Sequence, residues 1–282
     1  MFGSHLSIAG GMHNALLSAE KLGFDCVQVF TKNQQQWQAK PLGDEAIACW
    51  ARECRRLKFR QTVSHDSYLI NLASPDEALR NRSIDAFVDE LSRCEQLSIP
   101  YLVSHPGAHL GAGEDVGLTR VARALDEVHA RLPDAKVLTC IESTAGQGTS
   151  LGYRLEHLQA ILEQVKQPER VAVCLDTAHL FAAGYDFRGR GYDAFRKELS
   201  KRIGLKRVKV WHFNDSKKDL GSRVDRHEHI GRGLIGLEGF RPIVNDSAWA
   251  KTPKILETAK ETDDAGRAWD AVNLDVLRSL LR

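Results

Sequence analysis

The residues best able to do chemistry cluster between Arg207 and Gly233, in the segment RVKVWHFNDSKKDLGSRVDRHEHIGRG. Val208, Val210 and Phe213 alternate as in a strand, which sets His212 and Asp215 at that strand's end. A polar, glycine-containing loop follows and presents Asp225 and His227 as a D-x-H pair. Imidazole nitrogens and carboxylate oxygens in this arrangement suit zinc, which accepts mixed N and O donors. A solvated surface loop can carry the same residues with no metal, so the other histidines and acids have to decide.

Those residues recur at one structural position. His65 follows a strand-like run from Gln61 to Ser64, and His105 follows Tyr101 to Ser104. Glu142 follows Val137 to Ile141, Asp176 follows Val171 to Leu175, and Glu257 follows Pro253 to Leu256. His5 lies within the first such run, residues 3–8, and His179 stands one turn beyond Asp176. The remaining histidines show no such placement: His13, His129 and His157 fall on predicted helices, and His109 and His229 on loops. These five are read as solvated or supporting residues. Charged groups collected at one place without partners are costly to hold, and cations between them remove that cost. One zinc usually takes three or four protein ligands, so this many donors points to more than one ion. Paired metals about 3.5–4 Å apart, bridged by a carboxylate, are the usual device for phosphoester hydrolysis.

The elements that must position these residues follow from hydrophobic period. A further strand, Cys26 to Phe30, brings the count to eight. Helical spacing appears between them: Ile47, Trp50, Cys54 and Leu57 after Asp44; a long run up to Leu97; and Leu118, Val121, Leu125, Val128 and Leu132 before Pro133. Helices are also expected at 155–165, 193–203, around 240–244 and from Trp269 to Leu280. Asn14 is expected to cap the first helix, and Ser74-Pro75-Asp76-Glu77 to form a capping box with proline at the first helical position. Eight strands, each followed by a helix or helix-bearing loop, predict an α/β fold of the (β/α)8 TIM-barrel type, one domain over residues 1–282. In such a barrel the strand ends converge on one face, where its chemistry sits.

Composition narrows the rest. The charge is nearly balanced, 39 Lys+Arg against 37 Asp+Glu, so contact with a polyanion must come from local clustering. No apolar run is long enough to span a bilayer, and Met1 to His5 lack the start of a signal peptide. The six cysteines form no CxxC, so neither a zinc ribbon nor a disulfide framework is indicated. A reducing, cytoplasmic location is expected.

Six segments together resemble the endonuclease IV family of apurinic/apyrimidinic (AP) endonucleases. They are HDSYLINLASP, VSHPGAH, CIESTAGQG, VCLDTAHLFAAGYD, WHFNDSKKDLGSRVDRHEHIGRG and ILET, in the family's order and spacing, with SIAGG and FTKNQQQW upstream. The resemblance implies three zinc ions per chain, with Mn2+ an alternative occupant of such mixed sites. His65, His105 and Glu142 would hold the first ion. Glu142 would bridge to the second, shared with Asp176, His212 and Glu257, and His179, Asp225 and His227 would hold the third. A bridging hydroxide is the implied nucleophile, with Glu142 and Glu257 as the catalytic carboxylates and Glu257 orienting or deprotonating that nucleophile. The implied reaction cuts double-stranded DNA 5′ to an abasic site, leaves a 3′-hydroxyl and a 5′-deoxyribose phosphate, and removes blocking groups from 3′ ends. Gln35 and Tyr68 would enter the grooves, with Lys32, Asn33, Lys217 and Arg226 as further DNA contacts; a monomer is expected.

Two departures stand out: Gln35 occupies a position where the family commonly has Arg, and Ala178 one where Cys is frequent. The first removes a charge and a planar fork from a groove contact. A metal-dependent sugar isomerase or epimerase on a related barrel, and a non-catalytic damage-binding module, are the competing functions. The first has no evident use for Asp225 and His227.

Overall fold

Short runs of β-branched and small apolar residues, each closed by a polar or glycine-bearing turn, become the strands of a barrel in the computed structural model, which describes residues 1–282. In chain order the strands are β1 (Phe2–His5), β2 (Cys26–Phe30), β3 (Val63–His65), β4 (Tyr101–Ser104), β5 (Leu138–Glu142), β6 (Val171–Asp176), β7 (Val208–His212), the short β8 (Asp215–Ser216) and β9 (His227–Glu228), and β10 (Lys254–Leu256). The helices are α1 (His13–Leu22), α2 (Asp44–Leu57), α3 (Glu77–Leu97), α4 (Glu114–Arg131), α5 (Leu155–Gln164), α6 (Thr177–Ala183), α7 (Gly191–Arg202), α8 (Gly236–Asn245) and α9 (Trp269–Ser279). Eight parallel strands close in the order β1-β10-β7-β6-β5-β4-β3-β2, while β8 and β9 pair antiparallel outside the ring. This is the expected (β/α)8 barrel, built as a single domain. No helix is long and apolar enough to cross a membrane.

Side chains alternate in and out along each strand, so residues two apart share a face. The interior face carries a floor of small apolar residues: Cys26, Val63, Val103, Cys140, Cys174, Val210 and Ile255 pack together there. Two residues further along each strand stand Gln28, His65, His105, Glu142, Asp176, His212 and Glu257. The floor therefore lies one layer beneath the polar ring on every one of these strands. Gly3 completes the floor below His5. A Cβ at Gly3 would lie 2.6 Å from both the carbonyl oxygen and the Sγ of Cys26, so only glycine lets β1 approach β2. The larger core, including Trp50, Phe87, Phe181 and Phe240, fills the space between barrel and helices.

Several local expectations are corrected. The first strand stops at His5, not residue 8, and β7 stops at His212. Asn14 lies inside α1, with its amide on the Ala9 carbonyl. The cap of α3 is Asp76, which accepts the Leu79 N–H, while Ser74 accepts the N–H of Asp76. An Asx cap begins the helix two residues later than the Ser-Pro pattern implies.

The crowding at Gly3 can be tested against an uncrowded glycine. Gly3→Ala should destabilise the fold by about 1–3 kcal/mol through overpacking. Gly43→Ala, where nothing lies within 4 Å but a glycine N-cap of α2 is replaced, should cost less, at most about 1 kcal/mol. Denaturant midpoints of the two variants provide the comparison.

Candidate metal centre

The barrel mouth gathers three sets of His and carboxylate donors, and a fourth grouping brings the buried Cys174 thiol to Glu142 and His212. His65, His105 and Glu142 have ligand atoms within 4.8 Å of one another, as do Glu142, Asp176, His212 and Glu257, and as do Asp176, His179 and His227. Glu142 belongs to the first two sets and Asp176 to the last two, so the sets adjoin. One Glu142 oxygen faces His65 Nε2 at 3.2 Å and His105 Nε2 at 3.4 Å; the other faces His212 Nδ1 at 3.0 Å. Asp225 lies 3.1 Å from His179 Nε2 and 3.3 Å from His227 Nε2, which makes it the outer wall of the third set. All nine residues that the family resemblance names as ligands are thus brought to one pit, whereas His5, whose Nδ1 lies 3.0 Å from the Gln28 side chain, is in none of the three sets.

Local structure explains how the last three arrive. Asp176 ends β6 and caps α6 by accepting the His179 N–H at 2.8 Å, which turns His179 back over the strand end. The loop after β7 folds into the β8–β9 hairpin, and Asp215 fixes it. The Asp215 carboxylate accepts N–H bonds from Ser216, Gly231 and Ile235 at 2.8, 2.9 and 2.9 Å. Asp215 therefore holds the loop and stays outside the donor sets. Neither α6 nor the hairpin is visible as periodicity, because both are too short to show one.

A second layer orients these donors, and most of it escapes sequence reasoning. Gln28 accepts from His212 Nε2 at 2.8 Å and donates to Glu257 at 2.6 Å, which leaves His212 Nδ1 facing inward. Asn214 donates to Asp176 at 2.6 Å and accepts the Glu257 N–H at 2.9 Å. His65 Nδ1 meets the Asp66 carbonyl at 2.9 Å, and His179 Nδ1 meets that of Ser143 at 2.8 Å. Such partners set which ring nitrogen is free to bind. Gln28 had one available signal: a polar side chain at the interior phase of an otherwise apolar strand.

Electrostatics make the site a poor fit for protein groups alone. Burial by itself would raise the Glu142 carboxyl, yet His212 and His105 hold it well below the usual carboxylate range. Burial likewise opposes ionisation of Glu257, and His212 overrides it downward. Burial would lower the imidazoles, but Glu142 lifts His65 to about 9, and Asp176 with Asp225 lifts His227 to about 9. His179 is raised well above the ordinary value by Asp176 and Asp225 against the same burial effect. His227 Nε2 is buried with no hydrogen-bond partner although two carboxylates face it. A mixed N/O donor set with an orphaned inward nitrogen fits divalent cations of the zinc type.

The other candidates divide by exposure. Tyr68 is 61% exposed with its ring 5.3 Å from that of His65, so it rims the mouth and does not cap the core. Asn33, Gln35, Lys217 and Arg226 are exposed on mouth loops. Lys32 is corrected: it is buried, with its ammonium 2.6 Å from Asp89 and 3.6 Å from Glu90, and has no free charge for a phosphate. His129, His157 and His229 are buried rather than solvated. His157 accepts the Gly152 N–H, and His229 stacks on Trp269 at 3.9 Å.

The fold and this mouth define a (β/α)8 barrel with a histidine- and carboxylate-lined centre, and residues 16–280 match the family described as xylose isomerase-like TIM barrel. A probable endonuclease 4 of Chloroflexus aggregans is 52% identical over 282 residues, 100% of this chain and 98% of the relative. One from Geobacter sulfurreducens is 46% identical over 99% of this chain and 94% of its own length. The crystal structure of endonuclease IV from Thermus thermophilus superposes with a TM-score of 0.87 at 32% identity, covering 99% of this chain and 98% of that one. The chain belongs to the endonuclease IV family. A D-tagatose 3-epimerase-like protein, with a TM-score of 0.74 at 17% identity, shares the fold alone. The family is metal-dependent, and the three donor sets are where this chain could hold such ions.

Two measurements test the site as described. Asn214→Ala removes the link between Asp176 and Glu257 and should weaken metal affinity about 10–100-fold, read by competition with a chelating dye. For the metal-free protein, groups raised from 6.5 to about 9 stabilise the fold fully below pH 6.5 and lose that effect as pH rises through 9. Its Tm should therefore fall across that window, and metal-loaded protein should lack this trend.

Proposed function

We propose that the chain is a base-excision-repair nuclease that hydrolyses the phosphodiester 5′ to an abasic site, leaving a 3′-hydroxyl and a 5′-deoxyribose phosphate. The same centre would clear blocking groups from 3′ ends. The observation that carries this proposal is the adjacency of three donor sets joined through Glu142 and Asp176. His65, His105 and Glu142 would hold one zinc; Glu142, Asp176, His212 and Glu257 a second; His179, Asp225 and His227 a third. Mn2+ also suits these mixed donors. Bound there, the ions would supply Lewis acidity toward the phosphate and a nucleophile near neutral pH.

The protein groups then have separate tasks. Glu257 is kept ionised, with one oxygen on Gln28 and the other 3.1 Å from His212. It borders an open cavity of about 640 Å³ that also touches His5, Phe30, Asn33 and Tyr68. A water entering from that side would meet a fixed carboxylate able to orient it or take its proton. Glu142, fully buried among His65, His105 and His212, keeps the first two donor sets at constant separation. Exposed Tyr68, Gln35, Asn33, Lys217 and Arg226 ring the mouth and would contact grooves and phosphates. Unstacking is easiest where a base is already absent, which favours the abasic sugar as the group turned into the pit. Residues 1–282 would act as one such domain, as a monomer. A sugar epimerase needs a smaller metal complement and leaves Asp225 and His227 without a role.

Purified, zinc-loaded protein should nick a duplex 5′ to a single abasic site, and strong chelation should abolish the cut. Ketose–aldose interconversion without nicking would favour the epimerase. Glu257→Gln should lower single-turnover cleavage by at least about 100-fold, in line with loss of a general acid–base group. Its duplex affinity should stay within a few fold of wild type, and an unchanged rate would sink the role given to Glu257.

A further inference from the structure

Residues 31–40 contain no helix or strand, yet their backbone is tied down at every third carbonyl. The Thr31 carbonyl accepts two N–H bonds from the Arg93 guanidinium, at 3.2 and 2.9 Å. The Gln34 carbonyl accepts the Ser67 hydroxyl at 2.6 Å, and the Trp37 carbonyl faces the Lys32 ammonium at 3.5 Å. The Lys40 carbonyl accepts a third Arg93 N–H at 3.0 Å, so one side chain on α3 grips both ends of the loop. Within it, Asn33 turns the chain by accepting the Gln35 N–H on its side chain and the Gln36 N–H on its carbonyl. Arg82, also on α3, lies 4.4 Å over the Trp37 ring.

The anchors are buried: Arg93 is 6% exposed and Lys32 4%. Asp89 and Glu90 neutralise Lys32, and Glu90 also accepts the Thr31 hydroxyl at 2.6 Å. Buried ion networks contribute little net stability, because desolvation offsets the attraction. A loop that merely joins β2 to α2 has no need of one. What the network does achieve is a fixed presentation: Asn33 and Gln35 stay exposed while the carbonyls around them are held. The Arg fork can bond two carbonyls at once, which a lysine ammonium does less well.

We propose that Arg93 and Ser67 are positioning residues for substrate recognition, holding loop 31–40 in its binding geometry before a duplex arrives. Asn33 and Gln35 then meet an abasic site without the loop having to order first. The proposal rests on the AP-endonuclease function given above. Preorganisation matters here because Gln35 carries no charge, so geometry must supply what Coulomb attraction does not.

The test uses full-length, zinc-loaded Arg93→Lys and Ser67→Ala, the second being a mild change in case the first impairs folding. Without DNA, amide exchange at Gln35 and Gln36 should be faster in both variants than in wild type. The Kd for an abasic duplex should rise about three- to tenfold, the range expected from ordering a few side chains on binding. Cleavage at saturating duplex and metal content per chain should remain at wild-type values. Unchanged exchange, an unchanged Kd, or a loss confined to the saturated cleavage rate would each overturn the proposal. If wild-type protein fails to bind the abasic duplex, the functional proposal falls and with it the recognition half of this one. The exchange data, taken without DNA, judge the clamp separately.

Discussion

Side-chain alternation in a closed ring of parallel strands is the constraint on which this molecule depends. Because residues two apart share a face, each strand contributes a small apolar residue to the barrel floor and a polar residue to the layer above. Cys174 and Asp176, Val210 and His212, Ile255 and Glu257 are the same step repeated around the ring. A one-residue slip in any strand would send its donor into the shell of helices. The glycine at position 3 shows how tightly the floor is filled.

Burial on that layer creates an electrostatic problem that the protein answers in two ways. Imidazoles interleave with carboxylates, so that Glu142 stays charged in the interior, and those rings carry protons above their ordinary range. Neutral amides and carbonyls then fix directions: Gln28 under His212, Asn214 between Asp176 and Glu257, the Ser143 carbonyl on His179. A donor set this well oriented, with His227 Nε2 left unpartnered, is arranged for cations rather than for its own closure.

The proposed chemistry and the proposed recognition fall on different parts of the structure. The donors sit on strand ends and on the two short elements that follow them, where backbone geometry is rigid. The exposed residues around them sit on loops, and the loop at 31–40 is stiffened by side chains from α3 instead of by its own hydrogen-bond ladder. Lys32 illustrates the division: a lysine in a polar loop looks like a phosphate contact, yet its ammonium lies buried on Asp89 and Glu90. The close structural likeness to a Thermus endonuclease IV, against weaker likeness to epimerases, follows the same division, since a barrel alone does not set what its loops recognise.

Strand count, the parallel barrel and the six candidate donors at strand ends were legible in the chain, because alternation and strand-end position are one-dimensional properties that survive without coordinates. Family resemblance assigned the nine ligands to three groups; the observed clusters hold the first two together, while the third joins His179 and His227 to Asp176, with Asp225 set outside it against both rings. What needed tertiary structure were relations between residues far apart in sequence. Gln28 and His212 meet across 184 positions, Asn214 and Glu257 across 43, and no local pattern encodes either meeting. The same is true of α6 and the β8–β9 hairpin, which are set by the side chains of Asp176 and Asp215 rather than by period. Lys32 and Arg93 likewise acquire their roles only when α3 packs beside the loop. Local chemistry decided which groups are present and at what phase; burial and long-range contact decided which of them are free to act.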